Sequence, residues 1–106
     1  MKDIVKIVVT IPPEHAEKLR QAIGKAGGGM IGEYSFCSFT MKGTGRFKPG
    51  KKAHPFVGEV GVLDKVEEER IEITCEKRIA HDIVKTIREH HPYEEPAIDI
   101  YPILSF

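Results

Sequence analysis

The run His90-His91-Pro92-Tyr93-Glu94-Glu95-Pro96 sets two imidazoles, a phenol and two carboxylates around turn-forming prolines. Imidazole and carboxylate donors suit zinc, copper or another divalent ion. The same groups are those that acid–base catalysis uses. A second run, Gly43-Thr44-Gly45-Arg46-Phe47-Lys48, offers glycine backbone amides and two cations to a phosphate or other anion. His15 and His54 supply further imidazoles.

Three chemistries compete for these residues. The first is a divalent-metal site drawn from His54, His90, His91 and Glu94, with His15 and Glu95 at hand. The second is a ligand pocket built from Gly43, Thr44, Gly45, Arg46, Phe47, Lys48, His91, Tyr93, Glu94 and Glu95. The third is acid–base catalysis by the glutamates beside His91. The histidine spacing matches no closed zinc pattern, and neither a P-loop nor a dinucleotide fingerprint is present. Neighbouring side chains in an extended turn diverge, and no nucleophile, base and orienting group form a set, so no catalytic residue is assigned. Each motif also has a structural use. His90 or His91 suits a helix C-terminus, Tyr93 and the prolines can pin a turn, and the basic residues can pair with Glu94 and Glu95.

Whatever these groups do depends on what brings them together. Residues 4–11 are rich in β-branched types and predict a strand. Pro12-Pro13 ends it and opens a helix whose apolar face carries Ala16, Leu19, Ala22, Ile23 and Ala26. Gly27-Gly28-Gly29 stops that helix. Alternation over 33–42 predicts a second strand, with Tyr34, Phe36 and Ser38 opposite Ser35, Cys37 and Phe39. A long connection from Gly43 to about Asp64 follows. A third strand is expected over 66–75, a second helix over about 76–90 with Ile79, Ala80, Ile83, Val84 and Ile87 inward, and a fourth strand over 97–103.

The order is β-α-β followed by β-α-β, and the halves resemble each other. A shift of 64 residues lays Ile7 on Ile71, Val9 on Ile73, Leu19 on Ile83, Ile23 on Ile87, Tyr34 on Ile98 and Phe36 on Ile100. The expected class is α+β, a ferredoxin-like split βαβ with a four-stranded antiparallel sheet and two helices on one face. Residues 1–106 are read as one domain with a long β2–β3 loop, about 43–64. In that topology the β1–α1 turn, the β2–β3 connection and the α2–β4 turn share one end. His15, His54, His90 and His91 therefore collect there, with Arg46, Lys48, Lys51 and Lys52 opposite Glu94 and Glu95.

The uncovered sheet face is expected to carry Ile4, Val8, Cys37, Phe39, Tyr101 and Ile103. That much apolar surface calls for a cover, and a second copy of the same sheet supplies one. A homo-oligomer is expected, a trimer in preference to a dimer. Sixteen basic residues balance sixteen acidic ones, which gives no pull toward nucleic acid or an anionic membrane. The lack of a signal peptide, a long apolar run or a lipidation box makes the cytoplasm the default. Cys37 and Cys75 sit in strand patterns without close pairing, and read as buried thiols.

Three blocks carry a resemblance: Gly43-Thr44-Gly45-Arg46-Phe47-Lys48-Pro49, Pro55-Phe56-Val57-Gly58-Glu59-Val60-Gly61, and His91-Pro92-Tyr93-Glu94-Glu95-Pro96-Ala97. Together they resemble the domain inserted in YqfO-type proteins, the NIF-three-like dinuclear-metal family, and the likeness covers most of the chain. The resemblance implies similarity to the PII signalling proteins and to CutA, ferredoxin-like trimers packed sheet to sheet. It implies a stand-alone copy of the insert, a non-catalytic binding or regulatory module of unknown ligand. The family's paired-metal ligands lie in flanking half-domains, so His90-His91-Pro92 does not inherit them. The alternatives it leaves open are a CutA-type divalent-metal binder that uses the loop-end histidines, and an oligomerising accessory domain.

Overall fold

The computed structural model describes residues 3–104 and 106. Its elements are β1 (Ile4–Ile11), α1 (Pro13–Lys25), β2 (Phe39–Phe47), β3 (Asp64–Glu76), α2 (Lys77–His90) and β4 (Ile98–Ile103). The strands form one antiparallel sheet in the order β2-β3-β1-β4. Alternation decides the two faces of that sheet. Val5, Ile7, Val9 and Ile11 of β1 join Ile71, Ile73 and Cys75 of β3 beneath the helices. Ala16, Leu19 and Ile23 from α1, with Ala80, Ile83 and Ile87 from α2, close the core from above. Arg20 pins α1 across the sheet edge, donating to Glu69 of β3 at 2.8 Å and to Thr40 of β2 at 3.3 Å. The expected α+β split βαβ fold is the one observed.

The helix ends follow from their residues. Pro13 opens α1, where its missing N–H costs nothing. At the other end Gly27 takes φ 97°. The Gly27 N–H then reaches Gly24 O at 3.1 Å and the Gly28 N–H reaches Ile23 O at 3.0 Å, the paired bonds of a Schellman cap. Helix α2 stops at His91, which is extended and precedes Pro92.

The second strand starts later than alternation suggests. Residues 33–38 are not in β2, because the chain after α1 is spent on turns. The Gly29 N–H bonds Thr74 O at 2.9 Å, and the Cys37 N–H returns to Gly29 O at 2.9 Å. Between them Ile31 and Tyr34 exchange two 2.9 Å backbone bonds around Gly32 and Glu33. The aromatic alternation of Tyr34 and Phe36 therefore belongs to a closed turn, with Phe36 at φ 58° and its ring against Gly24. The 64-residue shift holds for β1 with β3 and for α1 with α2, but fails for Tyr34 on Ile98 and Phe36 on Ile100. The connection after β2 shrinks in turn: β2 continues through Phe47, so the loop spans 48–63 rather than about 43–64.

Register places Ile4, Val8, Phe39, Tyr101 and Ile103 on the face away from the helices, as expected, together with Met41. Cys37 lies outside the sheet, only partly buried, while Cys75 is buried in the core. The face is also less apolar than expected. Glu72 lies at its centre between Lys6 Nζ at 3.3 Å and Arg70 Nε at 3.0 Å. The hydrogen bond from Arg70, with help from Lys6, holds the Glu72 carboxyl below the usual range. Exposed Phe39, Met41 and Tyr101 flank this ionic row. Among the described residues, no helix is long and apolar enough to cross a membrane.

Candidate functional site

At the end of the sheet where β1 gives way to α1, the 48–63 loop folds over the α2–β4 turn. Between them lies a cleft of about 410 Å³. The loop is closed at its base, where the Gly61 N–H donates to Pro49 O at 2.8 Å. Its near arm is tied to the turn by the His54 N–H, which donates to Glu94 Oε2 at 2.7 Å. Phe56 packs edge-on to His15 of α1, with ring centres 5.6 Å apart, and lies 6.3 Å from Tyr93. Tyr93 in turn packs on His91 at 4.8 Å. The four rings run as a chain from helix α1 through the loop to the end of α2.

His91 fixes that chain to the sheet. It is 8% exposed, and its Nε2 lies 2.7 Å from Thr10 O at the end of β1. The Tyr93 N–H donates to Nδ1 at 3.1 Å. A carbonyl can only accept, so Nε2 carries the proton and the ring is the neutral Nε2–H tautomer. Burial pushes the imidazole below its ordinary value, against the favourable influence of the Thr10 carbonyl and the Glu68 carboxylate. The Tyr93 phenol is shifted upward, first by burial and then by Glu68. Its hydroxyl is buried beside Glu68.

A stability prediction follows from His91. With its folded value depressed, the unfolded chain takes up a proton first as pH falls. Its stabilising contribution is complete above about pH 6.5, declines below that, and levels off beneath the folded value. Urea midpoints of wild type should fall between neutral and mildly acidic pH. His91→Asn should lack that part of the decline, and an identical decline in both proteins would assign it to other groups.

The structure sorts the sequence candidates. Gly45, Arg46, Phe47, Lys48, Tyr93, Glu94 and Glu95 line the cleft. Gly43 and Thr44 do not. Gly43 and Gly45 belong to the β2–β3 ladder, and neither has a positive φ, so Gly43-Thr44-Gly45 is a strand and not an anion-cradling loop. His91 stands behind the wall and supports it. The proposed metal ligands do not converge. Both His91 nitrogens are engaged, His90 Nδ1 donates to Thr86 O at 2.9 Å, and His54 meets Glu94 through its backbone. Among the described residues, His54, His90, His91 and Glu94 included, no three His, Cys, Asp or Glu side chains are grouped to hold a metal.

Two participants escaped the sequence reading. Thr10 contributes only a carbonyl, which no side-chain pattern reveals. Glu68 lies in the run Glu67-Glu68-Glu69, which reads as a solvated charge cluster. Its carboxylate occupies the space where a Gly45 side chain would stand. The signal was the β2–β3 register, which sets Glu68 opposite Gly43 and Val66 opposite Gly45.

No protein-family model matches the chain. It is 44% identical over 98% of its length to a "GTP cyclohydrolase 1 type 2 homolog" of Halalkalibacterium halodurans. A Bacillus subtilis protein of that name is 47% identical over 92% of the chain. A crystal structure of a Bacillus cereus protein related to NIF3 superposes with a TM-score of 0.85, at 41% identity over 96% of this chain and 26% of that one. The chain is a homologue of one part of these NIF3-related proteins. It spans about a quarter of their length, 28% of the H. halodurans protein and 26% of the B. subtilis one. CutA from Synechococcus elongatus has a TM-score of 0.73 at 14% identity, covering 98% of this chain and 80% of its own. B. subtilis GlnK, solved as an ATP complex, has a TM-score of 0.67 at 20% identity, over 97% and 84%. At such identities these two bear on the fold alone. The chain has the CutA- and PII-like form of the ferredoxin fold and is homologous to a segment of NIF3-related proteins.

Proposed function

We propose that the chain is a non-catalytic, homo-oligomeric binding or regulatory module of the cytoplasm, whose ligand enters the cleft between the 48–63 loop and the 93–97 turn. The observation that carries this is the convergence of both segments on one walled space, with Arg46 and Lys48 on one side and Glu94 and Glu95 on the other. Aromatic and proline walls with a few charged groups are the usual make-up of small-molecule sites. The ATP complex of the similarly folded GlnK makes adenine nucleotides the first probes to try.

Native mass spectrometry of protein purified without chelator or affinity tag reads subunit count and retained ligands together. Calorimetric titration with ATP, AMP and divalent cations then follows. Saturable binding that weakens at least about tenfold in Arg46→Ala or Phe56→Ala is expected, from loss of a charge-assisted contact or of the loop anchor. Binding that ignores both substitutions would move the site elsewhere. Lack of binding to any probe, with nothing retained on purification, would reduce the chain to a scaffold.

Assembly through the open sheet face is the second part of the proposal, with a trimer favoured. Exposed Phe39, Met41 and Tyr101 around the Lys6–Glu72–Arg70 row give a surface with both apolar and self-complementary charged character. Met41→Arg should shift sedimentation from oligomer to monomer. A wild-type monomer at micromolar concentration would overturn the assembly.

A further inference from the structure

One wall of the cleft rests on a buried imidazole. We propose that His91 is a proton-operated latch: the neutral ring holds the 93–97 turn and the loop docked on it, and a second proton on the ring releases both. The proposal rests on the cleft being the binding site and names how that site is regulated.

The geometry leaves the ring no alternative. Nε2–H is committed to Thr10 O at 2.7 Å, so an added proton must go to Nδ1. That atom is the acceptor for the Tyr93 N–H at 3.1 Å. Once protonated, Nδ1 faces the amide donor to donor, and the bond is lost. What remains of the hold on Tyr93 is ring packing, against His91 on one side and Phe56 on the other, and Glu68 beside its hydroxyl. The loop follows the turn because the His54 N–H is bonded to Glu94 and Phe56 rests on Tyr93. One protonation therefore loosens a connected set: the turn, Phe56, and the loop arm around His54.

The charged groups around the ring come from several elements. From α1, His15 opposes a charge on His91, and Glu14 bears on Tyr93. From β3, Glu68 favours the charge, as does the Thr10 carbonyl of β1. Glu94 of the turn is engaged by His54. Burial outweighs the favourable pair, so the latch is closed at neutral pH and opens on the acid side of the ordinary imidazole range. Ligand held in the cleft should be released as the medium acidifies.

The test is nuclear magnetic resonance of the unliganded full chain over about pH 5 to 8, a span that brackets imidazole titration. Imidazole nitrogen shifts report the tautomer and titration of His91, and amide exchange reports protection at Tyr93, Ala53 and His54, whose N–H groups are hydrogen-bonded. The expected result is an Nε2–H tautomer at neutral pH, with protection at those amides falling in step with His91. His91→Asn, which offers Tyr93 an acceptor that does not titrate, should abolish the step. His15→Gln, which removes the neighbour that disfavours a charge on His91, should move the His91 titration and the step together to higher pH. If His91→Asn fails to fold, the His15→Gln shift decides. Protection that stays flat through the His91 titration, or a step that does not move with it, would overturn the latch. Because no ligand is present, that result would leave the binding proposal standing. Conversely, failure of every ligand titration would leave the exchange result intact.

Discussion

Ile7→Ala is expected to remove about 2–5 kcal/mol of stability, the range for truncating a large aliphatic side chain in a packed core. Ile7 is 1% exposed at the middle of β1. It sits in register between Ile73 of β3 and Ile100 of β4, on the face that also meets Leu19, Ile83 and Ile87 in one cluster. Covered by two helices and flanked by strands, the site has little freedom to collapse into the space left behind. A chain of this size has only about 5–15 kcal/mol to lose, so the variant should be close to half-unfolded under mild denaturant. Urea unfolding followed by far-ultraviolet circular dichroism measures it, as a lower midpoint at unchanged slope. A loss below about 1 kcal/mol would mean that Ile7 is far less tightly packed than its burial implies.

Gly29→Ala should rival that loss, on the order of 3 kcal/mol, for a different reason. Gly29 has φ 83°, and a methyl group there would stand 2.3 Å from Cys37 O and 2.8 Å from Cys37 N. Those atoms belong to the backbone that closes the α1–β2 connection, since the Cys37 N–H donates to Gly29 O. Neither can swing aside as a side chain would. Gly32→Ala provides the control. Gly32 also has a positive φ, 56°, but a methyl group there meets nothing within 4 Å. Its cost should be only that of the conformation, about 1 kcal/mol. Paired denaturation curves separate the two effects. Equal losses would show that the backbone at Cys37 gives way, and that crowding contributes nothing.

Much of the fold was legible because its elements announce themselves locally. The β-branched run of β1, the Pro12-Pro13 start and glycine stop of α1, and the long apolar face of α2 all landed within a residue or two. The 64-residue repeat worked where both halves bury the same face of the same element. It failed at Tyr34 and Phe36, where an alternating aromatic pattern was bound up in turn hydrogen bonds that depend on Thr74, far along the chain. The same limit applies to the site. That the loop and the turn meet could be read from topology. That His91 is a buried support, and not an exposed ligand, depended on a main-chain carbonyl of Thr10 that residue types cannot disclose.

The pairing of Ile4 with Ile103 has a consequence for how this fold travels. Directly opposed residues of antiparallel strands lie about 5 Å apart, so the chain enters and leaves the sheet almost at one point. That point is at the far end of the molecule from the cleft. A host protein could accept the whole unit at a surface bend without stretching its own backbone, as two wires join at a single plug. Growth or loss of neighbouring sequence at that socket would leave the loop, the turn and the histidine behind them undisturbed.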